Sequence, residues 1–169
     1  MLGEKDKNRV FSIGESLFLT DKNDNQVWVI GAVDNITKDF RVDMAFKRNE
    51  AVLKTFITNY IEKGNKLITD GWNGYLFIDE MNGYSREVHI HGASDFGLGI
   101  NSTSHIESIC SQLKATIKQI YYIIPHENFI LYLREAEWRI KNKTKNLVEK
   151  IDEFFACWNL ISEMSYGIR

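Results

Sequence analysis

The chain has 169 residues, enough to bury a full core as one domain, with 44% hydrophobic and 26% charged residues and a formal net charge of −2. That balance gives no reason to expect a polyanion to be drawn to the whole surface, so any nucleic-acid contact would have to come from a local patch. Two cysteines, Cys110 and Cys157, without CxxC spacing argue against a disulfide framework or a zinc site and for a reducing compartment. No apolar run approaches the ~20 residues of a membrane span, and the charged opening MLGEKDKNRV has no signal-peptide core.

Strand character begins at "VFSIGESLFL" (10–19) and resumes, after the turn-forming "TDKNDNQ", in the nearly continuous apolar run "VWVIGAVD" (27–34). In "DFRVDMAF" (39–46), Phe40, Val42, Met44 and Phe46 alternate with Arg41 and Asp43, the period of a third strand. Short polar turns make these three an antiparallel meander. The period then changes. Val52, Leu53, Phe56, Ile57, Tyr60 and Ile61 form a helical stripe that Gly64 ends. "NKLITD" (65–70) reads as a short buried strand, "GWNGYLFIDEMNGY" as a short helix with a glycine-rich exit, and "REVHIH" (86–91) as a fifth strand. A Gly/Ser loop (92–104) leads to helices over 104–120, 126–140 after a break near Pro125, and 147–164.

The resulting order, βββ-α-β-α-β-α followed by further helix, gives an α/β mixed sheet with helices packed on it, the element order of the ribonuclease-H-like fold. Such enzymes hold two divalent metals between carboxylates from separate elements, one metal activating the attacking oxygen and the other stabilising the leaving one. Asp70 lies at the tip of the fourth strand. Glu107 lies in "SHIESICSQLK", three residues after Ser104, the expected N-cap, and shares a helical face with Ser111 and Lys114. Taken alone, an Asp before Gly is most often a turn or cap residue, a glutamate in a first helical turn merely suits the macrodipole, and a helix lysine is usually solvated.

The blocks "VWVIGAVD", "ITDGWNGY" and "IESICSQLK" resemble those of DDE transposases of the Merlin superfamily and the related bacterial insertion-sequence transposases. In that family they run roughly as (W)V(I/F)G, (I)xDGWxxY and an IES/IEG block continuing to a lysine. The 36 residues between Asp70 and Glu107 match that family's spacing, and "NFILYLREAEWRIK" resembles its closing segment. The resemblance covers about residues 10–142. It implies a ribonuclease-H-like domain that acts on DNA with Mg²⁺ or Mn²⁺. Asp70 and Glu107 would be metal ligands, and Lys114 a catalytic-site phosphate contact. It implies a tail over 1–9, the domain at 10–142 and a helical extension over 143–169.

One departure concerns the first ligand. The family's first block reads approximately E-I-D-E-S-L-F, and here Ser12-Ile13-Gly14-Glu15-Ser16-Leu17-Phe18 puts Gly14 in the aspartate's place. Glycine cannot bind metal, and the neighbouring Glu15 should face the other side of the strand unless a bulge turns it round. The resemblance with this loss implies a chain with crippled chemistry, or a non-catalytic DNA-binding or assembly module. Ser104 also stands where many bacterial relatives carry Asn, and the N-terminal DNA-binding region usual in complete transposases is not expected here.

Arg134, Arg139, Lys141, Lys143 and Lys145 form a basic stretch, either a solvated helix end or a phosphate-contacting surface. His89, His91 and His105 read as surface or capping residues rather than ligands. Trp72 is expected under the floor of the site, and Trp28 and Trp138 in the core. "FFACWNLISEM" (154–164) reads as a core helix or a homodimer contact. The partner expected is DNA, with no membrane and no small-molecule substrate. The location expected is intracellular: nuclear in a eukaryote, cytoplasmic in a bacterium.

Overall fold

In a computed structural model of the chain, the residues described are 8–20, 25–89, 102–121, 124–153 and 155–156. Strand β1 (Val10–Thr20) buries both of its faces. Phe11 and Ile13, 0% and 1% exposed, enter one apolar cluster, while Ser12, Gly14, Ser16 and Phe18 alternate with them on the opposite face. It pairs antiparallel with β2 (Asn25–Asp34), setting Gly14 opposite Gly31 and Glu15 opposite Ile30. β2 in turn pairs antiparallel with β3 (Phe40–Ala45), with Gly31 opposite Val42.

Asp34 closes the turn after β2. Its carboxylate accepts from the N–H groups of Ile36 and Thr37 at 2.8 and 3.1 Å, and Arg9 Nη1 donates to it at 2.7 Å. Helix α1 (Glu50–Tyr60) starts where the Asn49 side chain accepts from the Val52 N–H, and it buries Leu53, Phe56 and Ile57. This crossover returns the chain so that β4 (Asn65–Thr69) runs parallel to β1, with Phe11 opposite Leu67 and Ser12 opposite Ile68. A 3₁₀ segment, Asn73–Glu80, leads to β5 (Tyr84–Val88), which pairs parallel with β4. The sheet order is β3-β2-β1-β4-β5.

One face of the sheet carries α1 and the 3₁₀ segment over a cluster that includes Phe11, Ile13, Ile30, Leu53, Leu67 and Tyr75. The other carries α2 (Ser104–Ile120), which buries Ile106, Cys110, Leu113 and Ile117. Phe129, at the start of α3 (Phe129–Lys141), meets Phe18 edge-on at 5.7 Å. The chain divides into two compact units, Met1–Glu137 and Trp138–Arg169. In the second, 147–153 and 155–156 are helical. Among the described residues no helix is long and apolar enough to cross a membrane.

The mixed sheet and its element order are those of the sequence reading, with local differences. The fifth strand occupies Tyr84–Val88 rather than 86–91. Phe46 falls outside β3 and is 64% exposed, because the alternation ends at Ala45, which joins the core on the α1 face. Thr103, not Ser104, is the N-cap of α2, and Ser102 Oγ accepts the Ser104 N–H at 3.1 Å. Trp138 is 42% exposed rather than core. His91, Cys157, most of the 92–104 loop and the end of the expected 147–164 helix lie outside the described residues.

Burial would push the Asp34 carboxyl up, but the N–H groups of Ile36 and Thr37 and the Arg9 guanidinium outweigh it and hold the group below its ordinary value of 3.8. A carboxyl whose folded-state pKa is depressed stabilises the fold fully above its unfolded value, and that contribution is lost as pH falls through the folded value. Urea denaturation of the parent and Asp34→Asn chains should therefore differ by about 1–3 kcal/mol at pH 6. The gap should narrow steadily from pH 4 to pH 3.

Candidate active site

The β1–β4 ladder pairs Val10–Ser12 with Lys66–Ile68, and Gly14 and Asp70 each lie two residues beyond its last pair. A Cβ on Gly14 would lie 3.1 Å from Ile106 Cγ2, so position 14 faces α2 next to Glu107. Gly14 is not among the positive-φ residues, so the backbone there admits a side chain. Gly31, its cross-strand partner, has Ile106 Cδ1 2.6 Å from where a Cβ would stand. The two glycines form a trough that receives Ile106.

Asp70 is exposed at the end of β4, and its Oδ1 accepts the Trp72 N–H at 3.0 Å. Glu107 Oε1 accepts from Thr103 Oγ1 at 3.0 Å. A cavity of about 230 Å³ between β1 and α2 is lined by Gly14, Glu15, Ser16, Glu107, Cys110 and Lys114, together with Ile106 and Ser111. Lys114 Nζ lies 5.3 Å from the Phe18 ring centroid. Gly14, Glu107 and Lys114 thus come together in one cleft. Asp70 is not among the cavity's lining residues.

Glu15 has a different environment. Its side chain is 3% exposed, pairs with Arg48, whose Nε donates at 2.6 Å, and accepts from the buried Tyr75 hydroxyl. β1 pairs continuously with β2 from Phe11 to Thr20, so no bulge turns Glu15 toward Asp70. Among the described residues no group of three or more His, Cys, Asp or Glu side chains could hold a metal ion. A two-metal centre asks for more carboxylate than Asp70 and Glu107 supply, so the residues present do not fit a pair of Mg²⁺ ions.

Among the basic residues, Arg134 is tied to protein groups. It donates to Asp43 Oδ1 and Glu137 Oε2, each at 3.0 Å, and to the Val42 carbonyl. β3 is an edge strand, and Arg134 covers one of its carbonyls while Arg41 Nη1 reaches Glu137 Oε1 at 3.3 Å. In the second unit Lys145 pairs with Glu153, Arg139 and Lys141 have interactions of their own, and Lys143 is exposed. His105 Nε2 sits 2.7 Å from Lys38 Nζ, and burial, with that ammonium second, lowers its pKa below 6.5.

The residues that a sequence reading misses here are Arg48 and Tyr75. Tyr75 was visible only as the tyrosine of the "DGWNGY" block, and Arg48 carries no local signal.

The mixed five-stranded sheet with acids at the tip of β4 and in α2 defines a ribonuclease-H-like domain of the DDE type. The ISXO2-like transposase domain model matches residues 4–141, and the chain belongs to that family. A comparison with curated proteins gave no match.

Solved structures similar in fold include the intasome of simian T-cell lymphotropic virus in complex with PP2A regulatory subunit B56 gamma, at 16% identity and a TM-score of 0.57. That match covers 79% of this chain and 48% of the other, so the chain spans about half the length of that relative. The HTLV-2 integrase catalytic core domain in complex with magnesium, in its dimeric form, matches at 12% identity and a TM-score of 0.57, covering 79% and 86% of the two chains. Its trimeric form matches at 12% identity and a TM-score of 0.55, covering 79% and 84%.

Replacing Arg134 with Met leaves Glu137, 5% exposed, with one cation fewer. The expected loss is about 1–2 kcal/mol after allowance for solvent screening of the half-exposed Arg134. The Arg134→Met/Glu137→Gln double variant should recover part of it, as urea denaturation of the four chains of the cycle would show. Burial, opposed by Lys114, pushes the Cys110 thiol up to about 11. In a Cys157→Ser chain at pH 8, a disulfide reagent should therefore label native Cys110 about a hundredfold more slowly than a free thiol, and at the free rate once the chain is unfolded.

Proposed function

We propose that the chain is a DNA-acting domain descended from a metal-dependent strand-transfer enzyme, in which Asp70 and Glu107 are inherited ligand positions and Gly14 stands where the first carboxylate belongs. The observation that carries this reading is the cleft between β1 and α2 that Gly14, Glu107 and Lys114 line together, with Asp70 just past the end of β4. Lys114, at the far side of the same cleft, is the residue placed to meet a phosphate. Family membership over residues 4–141 supports DNA as the partner, and transposition by ancestry as the reaction. The magnesium in the HTLV-2 core structure supports Mg²⁺ or Mn²⁺ as the ancestral cofactor, and its dimeric form supports self-association. No small molecule is proposed as substrate.

Chemistry is weak in this reading because Glu15 does not take over. Removing it from Arg48 would leave a buried charge without its partner, a loss of about 3–5 kcal/mol. The second reading, a non-catalytic DNA-binding or assembly module, keeps the fold and the DNA contacts without the reaction. The same glycine favours it.

Mn²⁺- and Mg²⁺-dependent nicking of duplex DNA separates the two readings. The parent chain should stay at background. Gly14→Asp should nick faster by about a hundredfold or more, in keeping with the several kcal/mol that metal binding contributes to such a transition state. Gly14→Asp/Asp70→Ala should be silent again. Nicking by the parent at the Gly14→Asp rate would overturn the proposal. Silence from all three chains, with salt-dependent DNA binding in the absence of metal, would establish the binding module instead.

A further inference from the structure

The "DGWNGY" block and Glu15 meet on the α1 face of the sheet, behind the cleft. The Arg48 guanidinium lies over the Trp72 ring, 3.5 Å from its centroid, and 5.2 Å from the Trp28 ring. The other side of that guanidinium serves Glu15, which also accepts from the Tyr75 hydroxyl. Tyr75 is fully buried and meets Trp72 edge-on at 5.6 Å. A Cβ on Gly74 would stand 2.2 Å from Trp72 ring carbons, so the indole occupies the space that only glycine leaves free. The Trp72 backbone N–H, in turn, donates to Asp70 Oδ1 at 3.0 Å.

We propose that Glu15 and Arg48 are positioning residues for Asp70: the pair holds Trp72 from behind, and Trp72 fixes the strand-tip carboxylate through its backbone N–H. The Glu15–Arg48, Glu15–Tyr75 and Arg48–Trp72 contacts join different elements, and the Trp72–Asp70 bond is local to the turn. Glu15 sits on β1, Arg48 on the β3–α1 connection, and Trp72 and Tyr75 in the segment after β4. A carboxylate on an open turn would sample several rotamers, and a guanidinium stacked on the indole while bound to a buried carboxylate removes that freedom. Arginine suits the role better than lysine, since only a planar fork can stack on one group and hydrogen-bond another. The strong upward push on the Tyr75 hydroxyl, from burial first and then Glu15, agrees with a phenol that stays a donor in this cluster.

The inference rests on the reading of Asp70 as an inherited ligand only for its meaning, not for its test. Amide hydrogen exchange in the parent chain, followed residue by residue, is compared with Arg48→Lys and Arg48→Met. Lysine keeps a cation for Glu15 and should preserve the fold. Arg48→Lys should raise exchange at the Trp72 amide by tenfold or more, while the amides of Leu67 and Ile68 in β4 stay within twofold of the parent. Arg48→Met, which leaves the buried Glu15 without a cation, should raise all three together and shows what a general loss of stability looks like. All three rising together in Arg48→Lys, or an unchanged Trp72 amide there, would overturn the proposal.

A second arm places Arg48→Lys in the Gly14→Asp chain and measures nicking. A fall of tenfold or more at unchanged DNA affinity is expected if Asp70 works as a ligand. If Gly14→Asp itself is silent, the ancestral reading fails in that arm while the exchange measurement still decides the clamp.

Discussion

The parallel pairing of β1 with β4 is the constraint from which the rest of the site follows. It is short, with Val10, Phe11 and Ser12 matched to Lys66, Leu67 and Ile68, but it fixes which residues beyond it are neighbours. α1 makes this possible by returning the chain across the sheet, with Leu53 and Ile57 fully buried. Gly14 and Asp70 each lie two residues beyond the last matched pair, and α2 crosses the face on which position 14 opens. Ile106 settles into the trough of Gly14 and Gly31, and that contact aligns Glu107 with the cleft. The arrangement comes from backbone pairing and one aliphatic contact. It therefore does not depend on a side chain at position 14.

β1 separates two functions by its alternation. Ser12, Gly14 and Ser16 face α2, whereas Phe11, Ile13 and Glu15 face α1. A carboxylate one residue from the vacant position looks like a ready substitute, but a strand cannot deliver it there without breaking the ladder with β2 or leaving Arg48 behind. The buried ion pair holds Glu15 on the α1 face, so Glu15 and position 14 serve opposite faces of the strand.

Legibility in the sequence followed the range of each interaction. The helical stripe from Val52 to Ile61 and the extent of α2 were readable because they depend on neighbours within one or two turns. The carboxylates at Asp70 and Glu107 were readable through their blocks and spacing. By contrast, Arg48 meets Glu15 across 33 residues and Arg134 meets Asp43 across 91, and no local pattern announces either pair. The basic stretch shows the consequence. In sequence Arg134 reads with the lysines that follow it, yet in the fold it guards the edge of β3. The α2 cap shifted by one residue because the Thr103 carbonyl, not a side chain, sets the start of the helix by accepting the Glu107 N–H at 3.2 Å.

What the block after β4 preserves can be sorted by physical demand. Trp72, Gly74 and Tyr75 are required by packing: the indole fills the space above Gly74, and the Tyr75 hydroxyl is buried against Glu15. Their presence would be expected in a chain that never cut DNA. Asp70 and Gly71 differ. A Cβ on Gly71 would meet nothing within 4 Å, and Asp70 is exposed, with its carboxylate accepting the Trp72 N–H. An asparagine or serine could accept that bond equally well, so the turn does not explain a negative charge there. The carboxylate at residue 70 is therefore the part of the block that neither packing nor the turn requires.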